Sequence, residues 1–155
     1  MTAGTKDGSL PTPQSLKRAL VEAGFEVFRT RGDEITLADR VRENLIMDSG
    51  VRLKVSRPFE VRVFVRAQRS DYPDAEEAAL FHKIRELAAP ALEAGFREVE
   101  TAVSPVKDPA DATRVLDTFY EVLFTREAAD LDAAFEGLRF ALRLEKACGH
   151  RRGED

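Results

Sequence analysis

Between Val51 and Gln68 apolar and polar residues alternate in two runs. Val51, Leu53 and Val55 point one way in the first run, and Phe59, Val61, Val63 and Val65 do so in the second. Arg52 and Lys54, then Glu60, Arg62, Phe64 and Arg66, fall on the other side. Successive strand side chains point to opposite faces, so the pattern predicts two strands with one buried face and one wet face. Pro58 lies between the runs. It cannot donate to a ladder, so it marks a turn, a bulge or the start of the second strand.

The flanking pattern supplies the other elements. Thr12 and Pro13 are a cap and a first-turn residue, and Leu16, Ala19, Leu20 and Ala23 follow at helical spacing up to Gly24. Phe25–Arg29 and Glu34–Ala38 read as short strands joined by a tight turn at Gly32. Leu45–Met47 reads as another strand, closed by a turn at Asp48-Ser49-Gly50. Asp39–Asn44 fits a helical turn or a loop. A long helix is expected after Pro73, with Asp74 and Glu77 as a capping box. Its stripe is Leu80, Ile84, Leu87 and Ala91, and Pro90 must kink it or divide it in two. Arg97–Val103 alternates, with Glu98 and Glu100 on one side. Ser104–Asp111 reads as a loop. Leu116–Thr125 is apolar on both parities, the mark of a strand covered on both sides or central in a sheet. A last helix is expected from Asp130 to Ala147, ended by Gly149.

This order is helix, about five short strands, helix, two strands, helix. Consecutive strands with short turns imply an α+β fold: an antiparallel sheet with an N-terminal, a mid-chain and a C-terminal helix packed mainly on one face. Residues 1–11 are expected to be a disordered tail, 12–148 a single domain and 149–155 a charged C-terminal tail. A chain of 155 residues buries enough surface to need no disulfide or metal staple.

Charge changes the picture more than composition does. The net charge is −4 and the pI near 5.4, against above about 9 for a typical nucleic-acid-binding domain. Residues 29–69 hold ten Lys/Arg against six Asp/Glu, and residues 70–155 hold eleven against nineteen. A basic middle and an acidic C-terminal half either neutralise each other within one fold, the simpler expectation, or meet between copies.

Catalytic patterns are scarce. A single cysteine, Cys148, excludes an internal disulfide and suits a reducing compartment. His82 and His150 are the two histidines, and Cys148 with His150 is the sole local Cys/His pairing. It falls in the expected tail, where attack geometry could not be held. No phosphate-cradling glycine loop, dinucleotide fingerprint or nucleophile elbow appears, and no cofactor is expected. The Arg31-Gly32-Asp33 adhesion tripeptide coincides with turn chemistry that already explains it. The N-terminus carries no apolar signal core, and no apolar run reaches the roughly 18 residues of a membrane span. A cytoplasmic protein without membrane association is the expectation.

What remains is the outward strand face. Arg52, Lys54, Arg62 and Arg66, with Phe64 among them, are the candidate binding residues. Such a set meets acidic peptides or a second copy, or stacks bases and neutralises phosphates; a solvated face is the plainer reading. The acidic pI makes nucleic acid the least expected partner.

Three segments, SLKRALVEAGFEV (Ser15–Val27), RPFEVRVFVRAQ (Arg57–Gln68) and LDAAFEGLRFALRLEK (Leu131–Lys146), together with the element order, resemble the YbjN-type family. That family is similar in fold to type III secretion chaperones, and the resemblance covers roughly residues 14–146. It implies a non-enzymatic, often dimeric protein that binds protein partners, with no catalytic residues to carry over. The expectation is therefore a chaperone- or adaptor-like protein-binding module acting as a homodimer. The alternative is a small-ligand binder or enzyme with a pocket between sheet and helices, near Tyr120, Arg97 or His82.

Overall fold

A computed structural model describes residues 11–153, with side chains through Ala147. The expected tail at 1–11 and the Cys148/His150 pair thus lie almost wholly outside the described residues or side chains. The elements are α1 (Pro13–Glu22), β1 (Val27–Arg31), β2 (Glu34–Arg42), β3 (Leu45–Lys54), β4 (Phe59–Gln68), α2 (Glu77–Leu87), α3 (Ala89–Glu93), β5 (Arg97–Asp108), β6 (Asp111–Ala128) and α4 (Leu131–Gly153). A 3-10 turn, Arg69–Asp71, follows β4. The six strands form one antiparallel sheet in the order β1-β2-β3-β4-β6-β5. The fold is α+β.

The period-two pattern is obeyed most strictly in β4. Phe59, Val61, Val63, Val65 and Ala67 are buried, and the residues between them are partly exposed. The buried set faces the helices. Leu16 and Leu20 of α1, Leu80 and Ile84 of α2, Ala91 of α3, and Ala134, Leu138, Ala141 and Leu144 of α4 join it in one core. Thr12 Oγ1 caps α1 by accepting from the Ser15 amide at 3.1 Å, and Asp130 Oδ1 caps α4 through the Ala133 amide at 2.8 Å. Pro90 divides the middle helix, standing in the first turn of α3 where its missing N–H leaves no bond unmade.

Several sequence expectations are corrected. Asp48-Ser49-Gly50 is not a turn. It is a bulge inside one continuous β3, so four strands rather than five precede α2. Leu37 of β2 stands opposite Ser49, Gly50 and Val51 together, because pairing shifts between Thr36↔Arg52 and Ala38↔Asp48. The polar residues that suggested a turn hold the bulge: Ser49 Oγ donates to the Leu37 carbonyl at 2.8 Å, and Asp48 Oδ1 accepts from the Gly50 amide at 2.7 Å. Gly50 takes φ +82° there. Asp39–Asn44 is neither helical turn nor loop but mostly strand, with the turn confined to Glu43 and Asn44. Ser104–Asp111 is likewise the end of a hairpin, with only Pro109 and Ala110 between paired Asp108 and Asp111. Glu98 and Glu100 do not share a face. A bulge at Val99 pairs Glu98 with Phe124 and Glu100 with Leu123, whose side chains point oppositely. The Asp74 capping box is absent, since α2 starts at Glu77 with no side-chain cap. Gly149 does not end α4, which continues to Gly153.

Strand directions follow from the pairing. The β2–β3 turn, the end of β4 and the β5–β6 turn all lie at one end of the sheet. Two hairpin arms therefore project beyond the helix-covered body at the same end. The longer is β5–β6, where Val103, Val106, Val115 and Leu116 are exposed. The shorter carries exposed Val41, Leu45, Ile46 and Met47.

Gly137 lets α4 approach β4 closely: an added Cβ there would lie 3.1 Å from Val61 Cγ2. Gly137→Leu is expected to lower stability by about 1–3 kcal/mol through overpacking. Val61→Ala in the same chain should recover part of that loss, as read from urea denaturation of the single and double variants.

Candidate functional site

The helix-free face of the sheet is built in rows set by register. Glu34, Lys54, Glu60 and Glu127 form one row, and Thr36, Arg52, Arg62, Thr125 and Arg97 the next. Above them come Phe64, Leu123 and Glu100, then Arg66, Glu121 and Ala102, then Gln68, Phe119 and Ser104. All five nominated residues lie on this face. Arg52, Phe64 and Arg66 meet around one depression of about 340 Å³, completed by Ser104, Phe119 and Glu121. Arg62 lies one row below, and Lys54 a row further, between Glu34 and Glu60 on the neighbouring strands.

The face is not the free cationic surface that the alternation of β3 and β4 alone implies. Arg62 binds Glu34 at 3.0 Å and Glu60 at 2.8 Å. Arg52 reaches Asp48 at 3.1 Å and Glu34 at 3.9 Å, and Arg66 binds Glu121 at 2.6 Å. Arg52 and Arg62 are direct cross-strand partners, an arrangement of like charges that is destabilising by itself. Glu34 stands between them and relieves it. The acids come from β2, β3, β4 and β6, so the basic middle of the chain is largely neutralised within the fold.

The two aromatic rings on this face are covered by cations. The Arg52 guanidinium carbon lies 4.7 Å from the centre of the Phe64 ring, and that of Arg66 5.2 Å from Phe119. Leu123, Thr36 and Thr125 are buried here although no helix overlies them; long arginine stems laid across a sheet shield such residues while the charged heads stay wet. Arg52 Nε is buried without a hydrogen-bond partner.

Sequence reasoning missed Glu34, Asp48, Glu121 and Phe119. Glu34 and Thr36 share one parity in β2, and Phe119, Glu121 and Leu123 share one in β6, so the signal existed. It became readable only with the strand order and with Asp48 placed inside a strand.

The residues of the ligand alternative do not converge. Tyr120 is buried under Phe81, ring centres 5.7 Å apart, and its hydroxyl accepts from Arg69 at 3.0 Å. His82 is exposed on α2 beside Glu86. Arg97 is on the opposite side of the sheet, paired with Thr125. A second depression, of about 230 Å³, lies between α4, β2 and the β3 bulge and is reached by Glu26, Asp39, Arg40, Glu145 and Lys146. Its charges are paired locally: Arg40 with Glu26, and Lys146 with Asp39 at 4.0 Å. Among the described residues no cluster of three or more His, Cys, Asp or Glu could hold a metal ion. No helix among them is long and apolar enough to cross a membrane.

Asp117 ties the base of the long arm to the chain leaving β4. Its carboxylate accepts from Ser70 Oγ at 2.8 Å, Gln68 Nε2 at 2.9 Å, and the Thr118 and Ser70 amides at 2.8 and 3.1 Å. Partial desolvation pushes its pKa up, but the bonds from the Ser70 hydroxyl, the Thr118 amide, Gln68 and the Ser70 amide together hold it below the ordinary aspartate value.

A carboxyl depressed in the folded state contributes stability that is complete above its unfolded pKa, about 3.9, and is lost as pH falls through the folded value. The stability difference between the native chain and Asp117→Asn should therefore be constant above about pH 5 and shrink below about pH 4, in thermal melts across pH. On the open face, a double-mutant cycle of Arg62→Gln with Glu34→Gln should show a coupling of about 0.5–1 kcal/mol, falling in high salt.

Compared with known proteins, the chain matches no family model, no curated sequence and no solved structure.

Proposed function

We propose that this chain is a protein-binding module of the chaperone or adaptor kind and that it acts as a homodimer. The observation that carries this reading is the β5–β6 arm. Beyond Tyr120 and Val103 no helix among the described residues covers either of its faces, and Val103, Val106, Val115 and Leu116 are exposed along it. Aliphatic side chains gathered on one projecting element mark a surface that a second chain covers. The resemblance to the YbjN-type family supports the same direction. The two depressions support a protein surface better than a small-ligand pocket, because both are open to solvent and their arginines and Lys146 are already paired.

The pairing on the open face bears on how the reading is tested. Reversing Arg62 or Arg66 would break contacts within the fold as well as any with a partner, so the arm is the cleaner target. Val103→Glu with Leu116→Glu is expected to convert a dimer to a monomer in size exclusion with light scattering. Folding stability should change by no more than about 0.5 kcal/mol, as is usual for surface positions. A native chain that is a clean monomer at micromolar concentration overturns the homodimer.

A further inference from the structure

The ladder between β3 and β4 stops early. β4 pairs with β6 at every position from Phe59 to Gln68, but with β3 only from Glu60 to Val63. The bulge is the cause. The Gly50 amide donates to Asp48 Oδ1 at 2.7 Å and the Val51 amide to Ser49 Oγ at 3.1 Å. Beyond the bulge, Leu45–Asp48 continue with β2. The sheet thus divides into its two arms above Val51 and Val63.

Which main-chain groups this leaves open follows from the alternation of a strand. The Val55 amide donates to the Asp33 carbonyl, just before β2, at 2.7 Å. Odd residues of this part of β3 therefore address β2, and Arg52 and Lys54 address β4. Their partners Arg62 and Glu60 address β3 in return, and so do Phe64, Arg66 and Gln68. The Phe64 carbonyl meets the bulge, lying 3.2 Å from where a Cβ on Gly50 would be. Arg66 and Gln68 have no strand partner on that side among the described residues.

We propose that Phe64–Gln68 is a receiving edge for an extended, acidic segment of a protein partner, which adds as a strand between the two arms. This rests on the protein-binding reading above and specifies where and how the partner binds. Other edges of the sheet are blunted. β5 has a bulge at Val99 and Pro105 without an N–H, while β1 is five residues long with a bulge after Val27 and arginines at positions 29 and 31. Phe64–Gln68 contains neither proline nor glycine, and its far side pairs with β6 without a break. Strand addition draws its affinity from main-chain hydrogen bonds and its selectivity from alternate side chains. An outward position of the incoming strand would stand beside Arg66, which binds Glu121 yet keeps 38% of its side chain exposed, so a carboxylate there would share its guanidinium. Inward positions would lie beside buried Val65 and Ala67, where valine fits.

The test uses the full chain and an acetylated, amidated eight-residue peptide that alternates valine and glutamate. Amide exchange is followed by NMR. Without peptide, the Arg66 and Gln68 amides should exchange much faster than those of Val65 and Ala67, which address β6. With peptide about tenfold above its Kd, exchange at Arg66 and Gln68 should slow about tenfold. A peptide with lysine for glutamate should bind more weakly, and one with central N-methyl groups should give no protection. Arg66 and Gln68 already protected in the free protein, no protection at saturating peptide, or protection on β5 or β1 instead would each overturn the proposal. Failed protection in an intact dimer removes the receiving edge alone. A monomeric native chain whose Arg66 and Gln68 amides become protected only when peptide is added removes the homodimer and leaves the edge standing.

Discussion

Val61, Val63 and Val65 are out of water because α4 and its neighbours lie on them, and among the described residues no helix lies on the other side of the sheet. This one-sided burial governs the molecule. On the covered face the requirement is volume: alanines at positions 134 and 141 and a glycine at 137 let α4 approach β4 closely, while leucines at 138 and 144 fill the spaces beside them. On the bare face the side chains must keep water off the backbone without a second layer. Arginines across the central strands do so, each anchored by a glutamate or aspartate of its own or another strand and two of them stacked on phenylalanine. The same residues that look like a binding patch are thus also the sheet's outer cover.

The two departures from regular pairing in the centre of the sheet have a common effect. The Ser49–Gly50 bulge turns the end of the β2–β3 hairpin away from β4, and the length of β6 carries the β5–β6 hairpin past the last helix. The body stays packed while both hairpin ends leave it in one direction. A fold that hides its apolar residues well in the core exposes eight of them on these two arms. The proposed partner binding, by the arm or by the edge between the arms, falls at that end.

Much of this was legible in the sequence, for a physical reason in each case. Alternation in Phe59–Gln68 predicts its strand because a half-buried strand must alternate. Pro90 predicts the division between α2 and α3 because it removes a helical hydrogen bond. Thr12 and Asp130 mark helix starts because their oxygens satisfy free amides. Asp48-Ser49-Gly50 misled because a bulge and a turn need the same residues: a side-chain acceptor close to its own backbone and a glycine at positive φ. The candidate site was legible as a set of residues but not as a charge state. Arg52, Arg62 and Arg66 could be placed on one face from local pattern, whereas their neutralisation by Glu34 and Glu121 depends on long-range pairing that no local pattern encodes.

The strand order has a kinetic consequence. Every neighbour pair in the sheet joins strands consecutive in sequence except β4 with β6. The four-strand meander and the final hairpin are each local assemblies that can form by short loop closures. Joining them requires closing the segment that contains α2, α3 and β5, the single long-range step in building the sheet. Until that step, Val63, Val65, Val122 and Phe124 have no common core, and α4 has only half a surface on which to settle. The β4–β6 pairing is therefore where the two halves of the chain become one cooperative unit.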